Sequence, residues 1–182
     1  MNSVTFFHSR SIGINFCTVS HVRDCSLKTI VSKLTSIRKL YESRGFRLVE
    51  IQGDGGFKGL EAEISPINLN TVPQDEHVPE VEQSIRTVKE SMRTITHGLP
   101  FCCLPKVMLL ELLYFVVRNL NLYSSESSVS TTLSPLSTVR GEGPADLNSF
   151  GLEFGSLLRY TMTEHPPTRW QLGQQMPLLC VL

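Results

Sequence analysis

From Val4 to Gln52 the chain changes its hydrophobic period twice, and that alternation restricts the folds open to it. Val4 to Phe7 and Ile14 to Val19 are rich in β-branched and aromatic residues. Ser9-Arg10-Ser11-Ile12-Gly13 reads as the turn between them, so the segment is expected to be a β-hairpin. Leu27, Ile30, Val31, Leu34, Ile37, Leu40 and Tyr41 then follow helical spacing. Asp24 or Ser26 can cap that helix at its start, and Gly45 suits the C′ position at its end. Its outer face carries Lys28, Lys33, Arg38 and Lys39, a solvated surface. Phe46 to Gln52 returns to a strand pattern. A helix between strands predicts an α/β fold, with some parallel pairing and helices packed on the sheet. Such sheets place their sites at the carboxyl ends of strands. Gly53-Asp54-Gly55-Gly56-Phe57 stands at that point, a carboxylate in a Gly-rich turn.

Beyond it, Leu60 to Ile64 fits one helical turn and Ile67 to Val72 a second short strand. Pro73 to Pro79 is a polar loop. A helix is predicted from Glu80, with Val81, Ile85, Val88, Met92 and Ile95 on its apolar face, ending before Gly98 and Pro100. Pro105 suits the first turn of the next helix, which runs to about Leu120. Its apolar centre, Val107 to Val117, reads as core; with Glu111 inside it, the segment is too short and too charged to span a bilayer. Ser124 to Thr132 and Arg140 to Pro144 read as loops, and Phe150 to Leu158 as a final strand. No internal repeat is visible, and the opening residues do not have the pattern of a signal peptide.

A chain of 182 residues with 41% hydrophobic content can build one ordinary core. Its zero net charge hides a segregation. Residues 1–47 carry eight basic and two acidic side chains, residues 48–82 one lysine and eight acids, and residues 83–106 four basic residues and one acid. An acidic island between basic flanks suits a metal site set in a phosphate-binding surface; solvated faces beside an acidic loop are the plainer reading. The five cysteines, Cys17, Cys25, Cys102, Cys103 and Cys180, contain no Cys-x-x-Cys pair and have no His cluster nearby. A zinc site is not expected, and the odd count favours a reducing compartment.

Two carboxylate-bearing elements carry the candidate chemistry. Asp54 is one; a tight Gly-rich turn would also select Asp for backbone reasons. The other is the start of the helix at Glu80, where Glu82 and its rival Glu80 lie on different faces, and where the helix dipole favours acids in any case. Asp75 and Glu76 read as solvated loop charges and His77 as a loop histidine. Arg86, Lys89 and Arg93 recur at three- and four-residue steps along the same helix. Such a face can contact phosphates, which position a duplex without reading its sequence; a solvated face is the alternative.

At Gln52-Gly53-Asp54-Gly55-Gly56-Phe57 and at Glu82-Gln83-Ser84-Ile85-Arg86-Thr87-Val88-Lys89-Glu90 the sequence resembles the integrase catalytic core of copia-type LTR retrotransposons. Thr94-Ile95-Thr96-His97-Gly98-Leu99-Pro100-Phe101, Leu133-Ser134-Pro135-Leu136 and Phe150-Gly151-Leu152-Glu153-Phe154-Gly155 are similar to the family in the same order. The motifs are short, and their order and spacing carry the likeness. It covers roughly residues 3–158, leaving 159–182 as a divergent tail.

The resemblance implies a ribonuclease-H-like mixed sheet flanked by helices and a polynucleotidyl transferase acting in DNA integration. It implies an Asp-Asp-Glu triad holding Mg²⁺ or Mn²⁺, hard cations served by oxygen ligands. Asp54 matches the second Asp and Glu82 the Glu, and the two are expected to converge at one sheet edge. Arg86, Lys89 and Arg93 would bind DNA. The implied partners are DNA and further copies of the chain, with no membrane and no small-molecule cofactor. The implied location is intracellular, in the nucleus or a cytoplasmic retrotransposon particle.

The departures from the family pattern are specific. The first triad Asp belongs on a strand ahead of the hairpin, and no Asp precedes Asp24. The interval from Asp54 to Glu82 is shorter than usual, Gln83 stands where Arg is common, and the likeness ends after Tyr160. The expectation is therefore a core lacking its first strand and inactive as this chain. The alternative is a non-catalytic ribonuclease-H-like remnant that only binds nucleic acid or self-associates.

Overall fold

The computed structural model describes residues 4–53, 55–57, 59–71, 79–101, 103–124, 128–144 and 153–156. The chain divides into two compact units, Met1–Leu147 and Asn148–Leu182. The first contains strands β1 (Thr5–Arg10), β2 (Cys17–Val22), β3 (Glu50–Gly53) and β4 (Asn68–Thr71). Its helices are α1 (Leu27–Glu42), α2 (Glu61–Ile64), α3 (Pro79–Gly98), α4 (Lys106–Leu120) and α5 (Pro135–Arg140). The class is mixed α/β. In the second unit, the described residues form a turn in which the Ser156 N–H donates to the Glu153 carbonyl at 3.2 Å. The strand expected across Phe150 to Leu158 is thus absent at 153–156; its other residues lie outside those described.

The expected hairpin forms, displaced along the sequence. β1 and β2 pair antiparallel from Thr5↔Val22 to Arg10↔Cys17. Ile14 and Phe16 leave the ladder, because both are buried with Tyr41 and Val139 in one apolar cluster. Asn15 takes the left-handed conformation in the connecting loop, at φ 61°. Arg10 Nη2 donates to Asn15 Oδ1 at 3.0 Å, tying the loop to the end of β1.

Helix α1 begins at Ser26, whose side chain accepts from the Thr29 N–H. Asp24 supports this cap by accepting from the hydroxyls of Ser26 and Thr29, at 2.5 and 2.8 Å. Those hydrogen bonds, the Ser26 hydroxyl first, hold the Asp24 carboxyl below its ordinary pKa. At the other end the Gly45 N–H reaches the Glu42 carbonyl and the Phe46 N–H the Tyr41 carbonyl, both at 3.0 Å. This is a Schellman closure, and Gly45 has the positive φ of 79° that it requires. The closure folds Phe46 back onto Tyr41, with ring centroids 6.4 Å apart. Phe46 therefore joins the core, and β3 starts at Glu50, four residues later than the sequence pattern indicates.

β3 and β4 pair in parallel, Glu50↔Asn68 through Gly53↔Thr71, while β2 and β3, the strands on either side of α1, lie in different sheets. α2 supplies the crossover turn and buries Ile64. A second apolar cluster of Leu34, Leu60 and Ile64 receives Phe7 from β1, Ile51 from β3 and Leu69 from β4. The single mixed sheet that was expected is not formed among the described residues. There are two two-stranded sheets, β1-β2 and β3-β4, joined through side chains rather than through a backbone ladder.

α3 packs on β1 and α4 on β2, and the two helices pack on each other. α4 buries Leu112, Leu113, Val116 and Val117, the core role its composition indicates. Among the described residues no helix is long and apolar enough to cross a membrane. The short helix α5 falls where sequence periodicity shows no element. Ser134 caps it by accepting from the Ser137 N–H, and Pro135 occupies its first turn. Pro135, Ser137 and Val139 are buried.

Candidate functional site

The carboxylate turn follows β3. Gly53 ends the strand buried, and a Cβ there would sit 2.8 Å from the Phe57 ring. Glycine is needed so that the ring can fold back over the strand end. Phe57 lies in a short 3₁₀ turn, Gly55–Phe57, and meets Phe7 edge-on at 6.4 Å between centroids. Asp54 itself lies outside the described residues, as do Asp75, Glu76 and His77. The expected convergence of Asp54 with Glu82 falls outside them too.

Glu82 is described. It is exposed in the first turns of α3, where it and Glu80 are the acids nearest the helix N-terminus. Each residue advances about 100° around a helix. On that count Glu82, Lys89, Arg93 and Arg86 fall within an arc of about 60°, a single stripe some 16 Å long. Glu80 lies roughly 200° from Glu82, on the far side of the buried face. Glu82 is thus the acid that shares its stripe with the three cations, and all four are exposed.

The cations are not equivalent. Arg86 Nε donates to Glu90 Oε1 at 2.9 Å, with side chains 80% and 57% exposed. Such a pair contributes about 0.3–0.5 kcal/mol at most, but the Glu90 carboxylate offsets part of the charge Arg86 offers to a ligand. Among the described residues, Lys89 and Arg93 are in no ion pair.

The opposite side of α3 holds a polar contact that sequence patterning does not reveal. Ser84 is buried, and its Oγ lies 2.9 Å from His8 Nε2 on β1 and 3.4 Å from Cys17 Sγ on β2. Burial first, and then the neighbouring Arg10 guanidinium, hold the His8 pKa below its ordinary value. A neutral imidazole can accept at Nε2 from the Ser84 hydroxyl, while the Cys17 thiol also has the Asn15 carbonyl as an acceptor, at 3.8 Å. Cys17 is also held at its backbone. Its N–H donates to Asn121 Oδ1 at 2.8 Å, and Asn121 Nδ2 donates to its carbonyl at 2.7 Å. These contacts dock α3 and the end of α4 on the hairpin. A serine at a buried step of α3, between Val81 and Val88, is the only local signal for them.

Among the described residues no group of three or more His, Cys, Asp or Glu side chains is assembled to hold a metal. The donors available in sequence, Asp54 and Glu82, are oxygen ligands of the kind Mg²⁺ and Mn²⁺ take. Compared with known proteins, the chain matches no family model and no curated protein sequence.

Proposed function

We propose that this chain is the core of an integrase-type polynucleotidyl transferase with a ribonuclease-H-like fold, acting on DNA and carrying two of the three carboxylates such chemistry uses. The observation that carries this reading is the α3 stripe, where Glu82 leads a line of cations, Arg86, Lys89 and Arg93, along one exposed helix face. A carboxylate at the head of such a line suits a site where phosphate oxygens meet both metal and positive charge. Support also comes from the parallel β3-β4 pair, since Asp54 follows β3 at its carboxyl end.

In this reading Asp54 and Glu82 would hold Mg²⁺ or Mn²⁺, which would supply charge neutralisation at the reacting phosphate and lower the pKa of a bound hydroxyl or water. Lys89 and Arg93 hold the DNA backbone beside that point, with Arg86 contributing less while paired to Glu90. Asp54 and Glu82 are the two carboxylates that this reading assigns to the metal. Integration places the reaction inside the cell, where the chain would meet DNA in the nucleus or in a retrotransposon particle.

The test is Mn²⁺-dependent 3′-processing and strand transfer on a labelled DNA end, for the parent chain, Asp54→Asn and Glu82→Gln, beside Mn²⁺ affinity by calorimetry. The expected result is measurable Mn²⁺ binding, lost in both variants, with little turnover. DNA binding without any metal binding would favour the second reading, a non-catalytic remnant of the same fold. Absence of both would overturn the proposal.

A further inference from the structure

Lys89, Met92, Arg93, Thr96 and His97 of α3, with Leu109 of α4, line an open groove of about 280 Å³ where the two helices meet. Its chemistry is two-sided. Met92 and Leu109 give it an apolar floor; Lys89 and Arg93 place positive charge on its rim, and among the described residues no lining side chain is acidic. The Thr96 hydroxyl is already spent on the Met92 carbonyl, at 2.8 Å. An occupant therefore needs negative charge at the rim and an apolar group for the floor.

We propose that this groove docks an acidic peptide segment of a partner protein, anchored by one or two apolar side chains. Lys89 and Arg93 are one helical turn apart, about 6 Å along the axis. Carboxylates on either side of a leucine or phenylalanine can meet both while the apolar side chain enters between them. Methionine in the floor adapts its shape to such an anchor. Single-stranded nucleic acid is the less suited occupant, because its usual platform is an aromatic ring for base stacking and none lines this groove among the described residues.

The inference does not depend on Glu82 binding metal. It does share Lys89 and Arg93 with the phosphate stripe, so a docked peptide and DNA would compete.

Fluorescence anisotropy with the full chain tests this. The probes are a labelled synthetic peptide of two leucines flanked by glutamates, the same peptide with serines for the leucines, the same with lysines for the glutamates, and a labelled oligothymidylate. The parent peptide should bind at least about tenfold more tightly than either peptide control, a difference of ~1.4 kcal/mol. Lys89→Glu and Arg93→Glu, both at exposed positions, should each weaken it about tenfold, because reversal adds repulsion to the lost attraction. Met92→Ser and Leu109→Ser should reduce it to the level of the leucine-free control. Equal binding of the parent and leucine-free peptides would overturn the proposal. So would oligothymidylate binding tighter than the peptide and equally sensitive to Met92→Ser and Leu109→Ser, which would assign the groove to nucleic acid. Loss of DNA binding with peptide docking intact would count against the integrase reading alone.

Discussion

Asn121, at the end of α4, grips both backbone polar groups of Cys17, accepting from its N–H at 2.8 Å and donating to its carbonyl at 2.7 Å. Both residues are buried. The carboxamide stands where a neighbouring strand would otherwise complete the first residue of β2. The Asn121 main chain works in the same place, its carbonyl accepting from the Leu136 N–H at 2.9 Å. One residue thereby joins α4, β2 and α5.

Replacing Asn121 by Leu should be strongly destabilising. It strands two buried backbone groups, each costing about 1–3 kcal/mol, for an expected loss of about 2–6 kcal/mol. Urea unfolding should show a lower midpoint with an unchanged slope. A loss under 1 kcal/mol would mean that the carboxamide is not what satisfies Cys17.

Acid should weaken the contact between α3 and the hairpin. His8 has a folded pKa below its ordinary value of 6.5, so the unfolded chain binds the proton more readily. This contribution is fully present above about pH 6.5, falls as the pH drops through the interval down to the folded pKa, and is lost below it. His8→Gln should flatten the dependence in that interval. Unfolding free energies between pH 7.5 and pH 4.5 provide the check, and an unchanged slope in the variant would remove His8 as its source.

The α3 cations should differ in their effect on DNA affinity. Lys89→Ala and Arg93→Ala should each reduce the slope of log affinity against log salt by about 1. Arg86→Ala should do less, since Glu90 already partners its guanidinium. Glu90→Gln should then raise affinity by releasing Arg86. Salt-dependent binding to an unrelated duplex measures all four; identical slopes for all variants would detach this helix face from DNA.

Gly45→Ala isolates a backbone effect. Nothing lies within 4 Å of a Cβ placed there, yet φ is 79°. The substitution should cost about 1–2 kcal/mol from the left-handed conformation alone. Thermal denaturation should show this without any change in the near-UV spectrum of Tyr41 and its neighbours.

Much of the helical organisation was legible because its signals are local. Ser26, the apolar steps from Leu27 to Tyr41 and Gly45 lie within one stretch of chain, and α1 has the bounds they imply. The shared stripe of Glu82, Arg86, Lys89 and Arg93 also follows from spacing once the helix forms. The strands were less legible. Ile14 and Phe16 look like ladder residues, but the core beside Tyr41 and Val139 takes them, and the hairpin register moves accordingly. α5 leaves no periodic trace because six residues are too few for it, although Ser134 and Pro135 mark its start.

The amino-acid sequence by itself determined where the three long helices lie, which of their faces are apolar, and that a carboxylate and three cations share one side of α3. Tertiary structure decided the partners. His8 meets Ser84 across 76 residues, and Asn121 meets Cys17 across 104. Hydrophobic period records the face that a segment buries, because that depends on residues a few steps apart. It carries no record of which distant polar group will lie opposite, because that is set only when helices and strands pack and every buried donor must find an acceptor.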